Sequence, residues 1–325
     1  MNSDSKTGKK LFVARSLPQS CEDRASKHYD TVLNPEDIVF SGSELVTRSA
    51  GMDALLIAST EKMTADVIAA LPASIKAIAT FSVGYEHIDL DAAKARGIVV
   101  TNTPDVLTDA TAEIALLCLL GAARRAREGE LAVREDTWAA WTAHYLVGKQ
   151  LTGKTLGIFG MGRIGRAVAE RARGFGLKIR YSNRSRLSPE LENGALYHAD
   201  PEDMLPHCQF LSLNAPASPE THHWLNTARI EMLPPEPVIV NTARGGLIHD
   251  ESLITALRSG RVFAAGLDVF EGEPRMRAEY RSLPNVFAMP HIGSATEETR
   301  EAMGMKCLDN LDAFFSGNTP PDRIA

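Results

Sequence analysis

The sequence has few cysteines, no long apolar run and no excess of positive charge. Its four cysteines are scattered, with no pair at the spacing of a metal site or a disulfide framework, so we expect no metal site and a reducing, cytoplasmic setting. The longest apolar run, Ile114–Leu120, is far shorter than the ~20 residues of a membrane-spanning helix. The 35 Lys and Arg residues are outnumbered by 41 Asp and Glu, which argues against a nucleic-acid surface. Residues 1–10 lack the apolar core of a signal peptide and are predicted to be a loose tail.

One stretch of the chain, residues 154–186, has a recognisable order of elements. A short apolar run, Leu156–Phe159, suits a buried parallel strand, and Gly160, Gly162 and Gly165 follow at once. Apolar residues at helical spacing come next, so the stretch is predicted as strand, glycine turn and helix. A dinucleotide site needs the three glycines for a tight turn, for close approach of the pyrophosphate and for packing of the helix on the strand. The stretch therefore predicts dinucleotide binding at the helix N-terminus.

The next predicted strand ends without the acidic residue that commonly binds the ribose 2′-hydroxyl. Its end reads Ser182, Asn183, Arg184, Ser185 and Arg186, and no acid occurs between residues 177 and 189. A carboxylate would repel a 2′-phosphate, whereas guanidinium and small polar groups bind it by charge-assisted hydrogen bonds. We therefore predict NADP(H) rather than NAD(H). A solvated basic loop is the alternative.

Short apolar strands alternate with helical segments along most of the chain. Five strands precede residue 103 and about six follow residue 154, which predicts parallel sheets with helices on both faces. The last helix follows the completed second sheet and is expected to pack on the first domain. We predict an α/β fold with two doubly wound, Rossmann-like domains, the first of them discontinuous. The predicted ranges are 1–105 and 292–325 for a flavodoxin-like substrate domain, and 106–291 for the dinucleotide-binding domain.

The segment between these two sheets is predicted to begin with a long helix. Residues 105–125 are apolar almost all round in their second half, and Asp105 can cap the start. The mixed segment that follows contains Trp138, Trp141 and Tyr145. These aromatic residues suit either a subunit interface or core packing, and the sequence favours neither.

Polar residues follow three predicted strands of the second sheet. Arg244 follows the strand VIVN, and His291 follows VFAMP. Asp268 lies near the end of VFAAGLDV, and Glu273 lies just beyond it. Because the carboxyl ends of parallel strands meet at one edge, these residues are expected near the nicotinamide. Arginine can bind a substrate carboxylate, histidine can donate a proton, and Glu273 can orient the imidazole and stabilise its protonated form.

A loop of the first domain also lies at a predicted ligand-binding edge. The backbone N–H groups of Val83 and Gly84 can hold a small carboxylate there, although a plain turn between strand and helix is the alternative.

The sequence resembles the D-isomer-specific 2-hydroxyacid dehydrogenases over residues 75–299. The motifs GMGRIG, NTARGG, GLDVFEGEP and PHIGSAT all occur in the family's order. The resemblance implies two domains around a cleft, a homodimer, and a catalytic trio of Arg244, Glu273 and His291. It also implies that Val83 and Gly84 bind the substrate carboxylate. The residues that it implies contact the cofactor are Arg163, Ile164, Asn214, Pro216, Thr242 and Asp268.

Within this family, TPDVLTDATAE and NRSR are most similar to NADPH-dependent glyoxylate and hydroxypyruvate reductases. That similarity implies reduction of glyoxylate to glycolate and of hydroxypyruvate to D-glycerate, with Trp141 near the partner's substrate pocket. Two alternatives remain: the same chemistry on a larger 2-oxo acid, such as 2-ketogluconate or phenylpyruvate, and an NADP(H)-sensing protein similar to a corepressor. The loop containing His222, His223 and Trp224 lies where the family varies.

Overall fold

The structure, a computed structural model, describes residues 7–325. Of the loose tail predicted at residues 1–10, residues 1–6 lie outside that range, and Lys10 belongs to the first strand instead. The chain forms two compact units: one ends at Leu107 and resumes over Ala295–Ala325, and the other is Thr108–Ser294. Their assignment as substrate domain and dinucleotide-binding domain stays a prediction.

Twelve strands and thirteen α-helices are defined within residues 7–325. The strands are β1 Lys10–Val13, β2 Asp30–Val32, β3 Ala54–Ile57, β4 Ala77–Thr80, β5 Val99–Thr101, β6 Thr155–Phe159, β7 Lys178–Ser182, β8 Leu196–His198, β9 Phe210–Leu213, β10 Val238–Asn241, β11 Ala264–Leu267 and β12 Val286–Ala288. The helices are α1 Gln19–His28, α2 Gly42–Arg48, α3 Ala65–Ala70, α4 Leu90–Ala95, α5 Thr108–Ala123, α6 Ala126–Arg134, α7 Arg163–Gly174, α8 Pro189–Glu192, α9 Pro201–Met204, α10 Thr227–Met232, α11 Asp250–Ser259, α12 Ala278–Ser282 and α13 Glu297–Phe315.

The first unit contains a five-stranded parallel sheet in the order β2-β1-β3-β4-β5. Strands β3 and β4 are buried along their whole length, as expected for strands covered on both faces by helices. The last helix, α13, packs on β4 and α1, so the end of the chain completes this unit. The winding reverses beside β1, which is the position where open α/β sheets bind ligands.

The second unit contains a seven-stranded parallel sheet in the order β12-β11-β10-β9-β6-β7-β8. Its first strand, β6, pairs with β7 on one side and β9 on the other, so the winding reverses at β6. The fold class predicted from the sequence is therefore confirmed. The predicted count of about six strands is too low by one, because β8 reads Leu-Tyr-His with no buried residue and so lacks the apolar run by which the other strands were recognised.

Helix α5 is buried on most of its surface and packs against α7, β10 and β11. It begins at Thr108 rather than at the predicted Asp105, which has a left-handed φ of 74° and so turns the chain before the helix starts. The sequence interpretation also missed α6, which begins directly after Arg125. No helix within residues 7–325 combines the length and apolarity needed to cross a membrane.

Gly266 permits the close contact between β11 and α5. A Cβ atom at this position would lie 2.3 Å from the carbonyl oxygen of Cys118, a backbone atom that cannot rotate away. We expect Gly266→Ala to lower the free energy of unfolding by about 1–3 kcal/mol, since overpacking strains the backbone. The matched control is Gly174→Ala at the end of α7, where a Cβ meets nothing within 4 Å. Urea unfolding of both variants tests this, and equal midpoints would contradict it.

Candidate active site

The glycine turn after β6 has the geometry that dinucleotide binding requires. Gly160 has φ 95°, and a Cβ there would lie 2.5 Å from the backbone nitrogen of Ala215. A Cβ on Gly165 would lie 2.2 Å from the Gly160 oxygen, so only glycine allows α7 to pack this close to β6. At Gly162, by contrast, a Cβ would meet nothing within 4 Å, which leaves the N-terminus of α7 open to an approaching phosphate. The predicted residues Arg163 and Ile164 form the first turn of that helix.

Two buried polar atoms lie near the ends of the neighbouring strands. Asn214 Oδ1 follows β9 and Thr242 Oγ1 follows β10, and neither has a hydrogen-bond partner among residues 7–325. A buried polar group without a partner costs about 1–3 kcal/mol, so a ligand bound beside these two atoms would gain hydrogen bonds from them. Together with the glycine turn, they fit a bound dinucleotide. Pro216, also predicted at the cofactor, is exposed in the same loop as Asn214.

The basic loop after β7 is only partly available to a phosphate group. Asn183 Oδ1 accepts a hydrogen bond of 2.6 Å from the Met161 amide, which ties the loop to the glycine turn. Arg184 and Ser185 are exposed. Arg186, however, donates to both carboxylate oxygens of Glu192, at 2.8 and 3.1 Å.

Glu192 belongs to helix α8, and its carboxylate also accepts a 2.7 Å hydrogen bond from the Tyr181 hydroxyl. The hydrogen bonds from Arg186 and Tyr181 lower the pKa of Glu192, which keeps it ionised at neutral pH. Residues 177–189 contain no acidic residue, but Glu192, just beyond them, brings a carboxylate to Arg186. Of the two arginines, Arg184 is the one that this ion pair leaves available.

Asp268 lies at the end of β11 and is fully buried. Its two oxygens accept hydrogen bonds of 2.8 Å from the amides of Ile292 and Gly293. Burial raises the pKa of Asp268, and these amides and the nearby His291 offset only part of that effect. Asp268 thus fixes the backbone that directly follows His291, a contact that the sequence did not reveal.

The turn that presents Arg244 is held by the fully buried Asn241, the last residue of β10. The side-chain Nδ2 of Asn241 donates to the backbone oxygen of Arg244 at 2.8 Å. Its side-chain Oδ1 accepts from the backbone N–H of Ala243 at 3.1 Å. A Cβ on Gly245 would lie 1.9 Å from the Phe270 carbonyl carbon. The turn with Arg244 therefore packs directly on the loop that leads to Glu273.

His291 and Glu273 form a short hydrogen bond, with Nδ1 and Oε2 2.6 Å apart. The other Glu273 oxygen accepts from the Phe270 amide at 2.6 Å. Burial alone would raise the pKa of Glu273, but the hydrogen bond and charge of His291, the Phe270 amide and the Arg244 charge together lower it. An ionised Glu273 requires a proton on Nδ1, so Nε2 is the nitrogen that can transfer a proton to a substrate. The trio predicted from the sequence is thus brought together within the second unit.

The loop with Val83 and Gly84 lies in the first unit, between β4 and α4. Its carbonyl groups are engaged: Asn102 donates to the Val83 oxygen at 2.8 Å, and the Ser82 hydroxyl donates to the Gly84 oxygen at 2.7 Å. Neither the Val83 nor the Gly84 amide donates to another group within residues 7–325. The loop therefore presents two adjacent N–H groups, as an anion site requires. Sequence reasoning missed Asn102, because its contact spans 19 residues.

The aromatic residues between α6 and β6 do not pack in the core. Trp141 is 82% exposed, and Trp138 and Tyr145 are also exposed. The core-packing alternative is therefore wrong for these three side chains.

A dinucleotide-type glycine turn and an Arg, Glu and His trio at one edge of the same parallel sheet define the class of protein. The class is that of oxidoreductases that use a nicotinamide cofactor, in which an imidazole donates or accepts the proton. A family model for the D-isomer specific 2-hydroxyacid dehydrogenase, NAD binding domain, matches residues 116–293.

Individual proteins match over nearly the whole chain. The glycerate dehydrogenase of Hyphomicrobium methylovorum is 46% identical over 311 residues, which are 95% of this chain and 97% of the relative. The glyoxylate reductase of Thermococcus litoralis is 41% identical over 321 residues, 97% of this chain and 96% of the relative. A solved NADPH-dependent glyoxylate/hydroxypyruvate reductase of Sinorhizobium meliloti is 32% identical with a TM-score of 0.86, covering 98% of this chain and 97% of that one. The chain belongs to the D-isomer-specific 2-hydroxyacid dehydrogenase family, as its motifs predicted.

His291 is expected to be the proton donor, which can be tested by substitution. His291 has a positive φ of 56°, a conformation that asparagine tolerates, so the substitution chosen is His291→Asn. General acid catalysis contributes about 10²–10⁴-fold, so kcat should fall by that factor while cofactor affinity stays within about twofold. His207→Asn, at an exposed histidine outside the site, is the control and should keep full activity. A near-normal kcat for His291→Asn in steady-state assays would remove His291 from the mechanism.

Proposed function

We propose that this protein reduces glyoxylate to glycolate and hydroxypyruvate to D-glycerate with NADPH in the cytoplasm. The observation that carries the proposal is the 2.6 Å His291–Glu273 hydrogen bond, on a loop against which the Arg244 turn packs. The names of the glycerate dehydrogenase and glyoxylate reductase relatives support this substrate class, because they denote two- and three-carbon acids. The four cysteines, all buried and unpaired, suit a reducing compartment.

The reaction adds a hydride to the carbonyl carbon of the 2-oxo acid and a proton to its oxygen. The bound cofactor supplies the hydride. His291 donates the proton from Nε2 to the carbonyl oxygen, and Glu273 stabilises the protonated imidazole beforehand and holds its ring in place. Arg244 binds the substrate carboxylate and polarises the carbonyl. The Val83 and Gly84 amides of the first unit stay a predicted carboxylate site.

The cofactor fits the second unit through residues already described. Gly160, Gly162 and Gly165 admit the pyrophosphate to the N-terminus of α7, and the unpartnered atoms of Asn214 and Thr242 are available to its polar groups. We propose NADPH rather than NADH because β7 ends without an acid and with the exposed Arg184.

We also propose a homodimer, in which Trp141 and its exposed aromatic neighbours contact a second copy of the chain. A tryptophan 82% exposed to water suits an interface, because aromatic side chains are enriched there. Sedimentation equilibrium should give the mass of two chains, and the mass of one chain would contradict this part of the proposal.

The function is tested by initial rates of NADPH and NADH oxidation with glyoxylate, hydroxypyruvate, pyruvate, phenylpyruvate and 2-ketogluconate. We expect the highest kcat/KM for NADPH with glyoxylate or hydroxypyruvate. A higher value for phenylpyruvate or 2-ketogluconate would overturn the substrate assignment and leave the chemistry. Tight NADPH binding without turnover of any acid would instead favour a cofactor-sensing protein.

The cofactor preference is tested by separating the two arginines. Arg184→Gln should weaken NADPH about tenfold or more and leave NADH nearly unchanged, since it removes a charged hydrogen bond to the phosphate. Glu192→Gln is the companion variant, because it releases Arg186 from its carboxylate partner and should strengthen NADPH relative to NADH. Dissociation constants from cofactor fluorescence provide the measurement. An unchanged NADPH to NADH ratio in Arg184→Gln would sink the assignment.

A further inference from the structure

We propose that His222, His223 and Glu271 form a binding site for a divalent transition-metal ion such as Zn²⁺. The two histidines lie in the loop between β9 and α10, and Glu271 lies in the loop that follows β11. One ligand atom from each of the three side chains lies within 4.8 Å of the other two. The proposal is independent of the reaction assigned above, because none of the three residues takes part in it.

The backbone turns both histidine rings to the same side of the loop. Neighbouring side chains usually point apart, but His223 has a left-handed φ of 50°, and the two rings stack with their centroids 3.7 Å apart. Hydrogen bonds from the His222 amide to Ser218 and from the His223 amide to Gly246, at 3.0 and 2.7 Å, hold this turn. Two imidazoles are thus presented together by a restrained segment.

Glu271 faces the histidines from the other loop. Its two oxygens lie 3.1 and 3.2 Å from His223 Nε2. Gly246 lies between His222 and Glu271, since a Cβ there would be 3.4 Å from His222 Nδ1 and 3.9 Å from Glu271 Oε1. The absence of a side chain at Gly246 leaves room for the two groups to approach.

The three side chains are the ligands that borderline-soft cations prefer. Zinc binds imidazole nitrogen and carboxylate oxygen at about 2.0–2.2 Å, and often takes three protein ligands with water in the fourth position. Mg²⁺ and Ca²⁺ prefer oxygen ligands alone, so Zn²⁺, Ni²⁺ or Cu²⁺ are expected here instead. The Glu271 side chain is 42% exposed, so its rotatable bonds leave it free to move toward a bound ion.

A simple ion pair between His223 and Glu271 accounts for two of the residues but not for His222. The His222 and His223 rings stack with their centroids 3.7 Å apart, and a ligand atom of His222 lies within 4.8 Å of those of His223 and Glu271, so a cation bound by the pair is also close to His222. Another pair of histidines, His198 and His207, is less suitable. Arg180 hydrogen bonds to His198 Nε2 at 3.0 Å, and its positive charge opposes a cation there.

The test is Zn²⁺ binding to the full-length protein, measured by competition with a chromophoric zinc chelator. The wild type is expected to bind one Zn²⁺ per chain, and His222→Asn and Glu271→Gln should each weaken that binding about tenfold or more. His207→Asn, which also removes an exposed histidine, is the matched control and should bind as the wild type does. Both site variants change exposed side chains, and equal circular dichroism spectra check that they are folded.

Two results would overturn the proposal. One is unchanged Zn²⁺ affinity in both His222→Asn and Glu271→Gln. The other is loss of binding in His291→Asn while His222→Asn binds normally, which would place the ion at the His291–Glu273 pair. Co²⁺ gives a second readout, because the visible absorption of a tetrahedral Co²⁺ complex should occur in the wild type and be lost in His222→Asn.

Discussion

The hydrogen bond between His291 and Glu273 is the contact on which the geometry of the site depends. An imidazole presents one nitrogen for proton transfer when its other nitrogen is fixed by a hydrogen bond. Here Glu273 fixes Nδ1 of His291 at 2.6 Å. The surrounding structure supports this one bond from three sides. The Phe270 amide fixes the second Glu273 oxygen, Asp268 fixes the two residues after His291, and Gly245 allows the Arg244 turn to pack against the same loop.

The parallel sheet explains how residues so distant in sequence reach one edge. Strands β10, β11 and β12 are hydrogen-bonded neighbours that run in the same direction, so the residues following each of them emerge side by side. The glycine turn after β6 emerges at that same edge, where the winding of the sheet reverses. In a protein of this class, the cofactor contacts and the proton donor thus lie at the same edge because the strands before them are parallel. Individual loops then determine what the edge recognises.

The sequence predicted the fold class, and it also predicted that the polar residues of the trio lie at one edge of the sheet, because both rest on strong local signals. Buried strands such as β10 are short apolar runs, and the polar residues after them stand out. Weaker signals failed: β8 contains no apolar run, and Asp105 takes a backbone conformation that its residue type does not require.

Contacts between segments could not be predicted for a different reason. Glu192 reaches Arg186 only because α8 folds back over the end of β7, and Glu271 reaches His223 across 48 residues. A side chain's partner depends on tertiary packing, which neither composition nor spacing encodes. The same limit applies to Asn102, whose support of the Val83 loop becomes visible only in the folded unit.

The loop with Val83 and Gly84 differs from the His291–Glu273 pair in its dependence on pH. It presents peptide N–H groups, and these have no proton to lose or gain over the range in which carboxylates and imidazoles titrate. Its attraction for an anion is therefore constant with pH, and it adds no net charge that would draw in unwanted ions at long range. Acidity can thus alter a step that depends on an imidazole while leaving the affinity of peptide N–H groups for an anion unchanged.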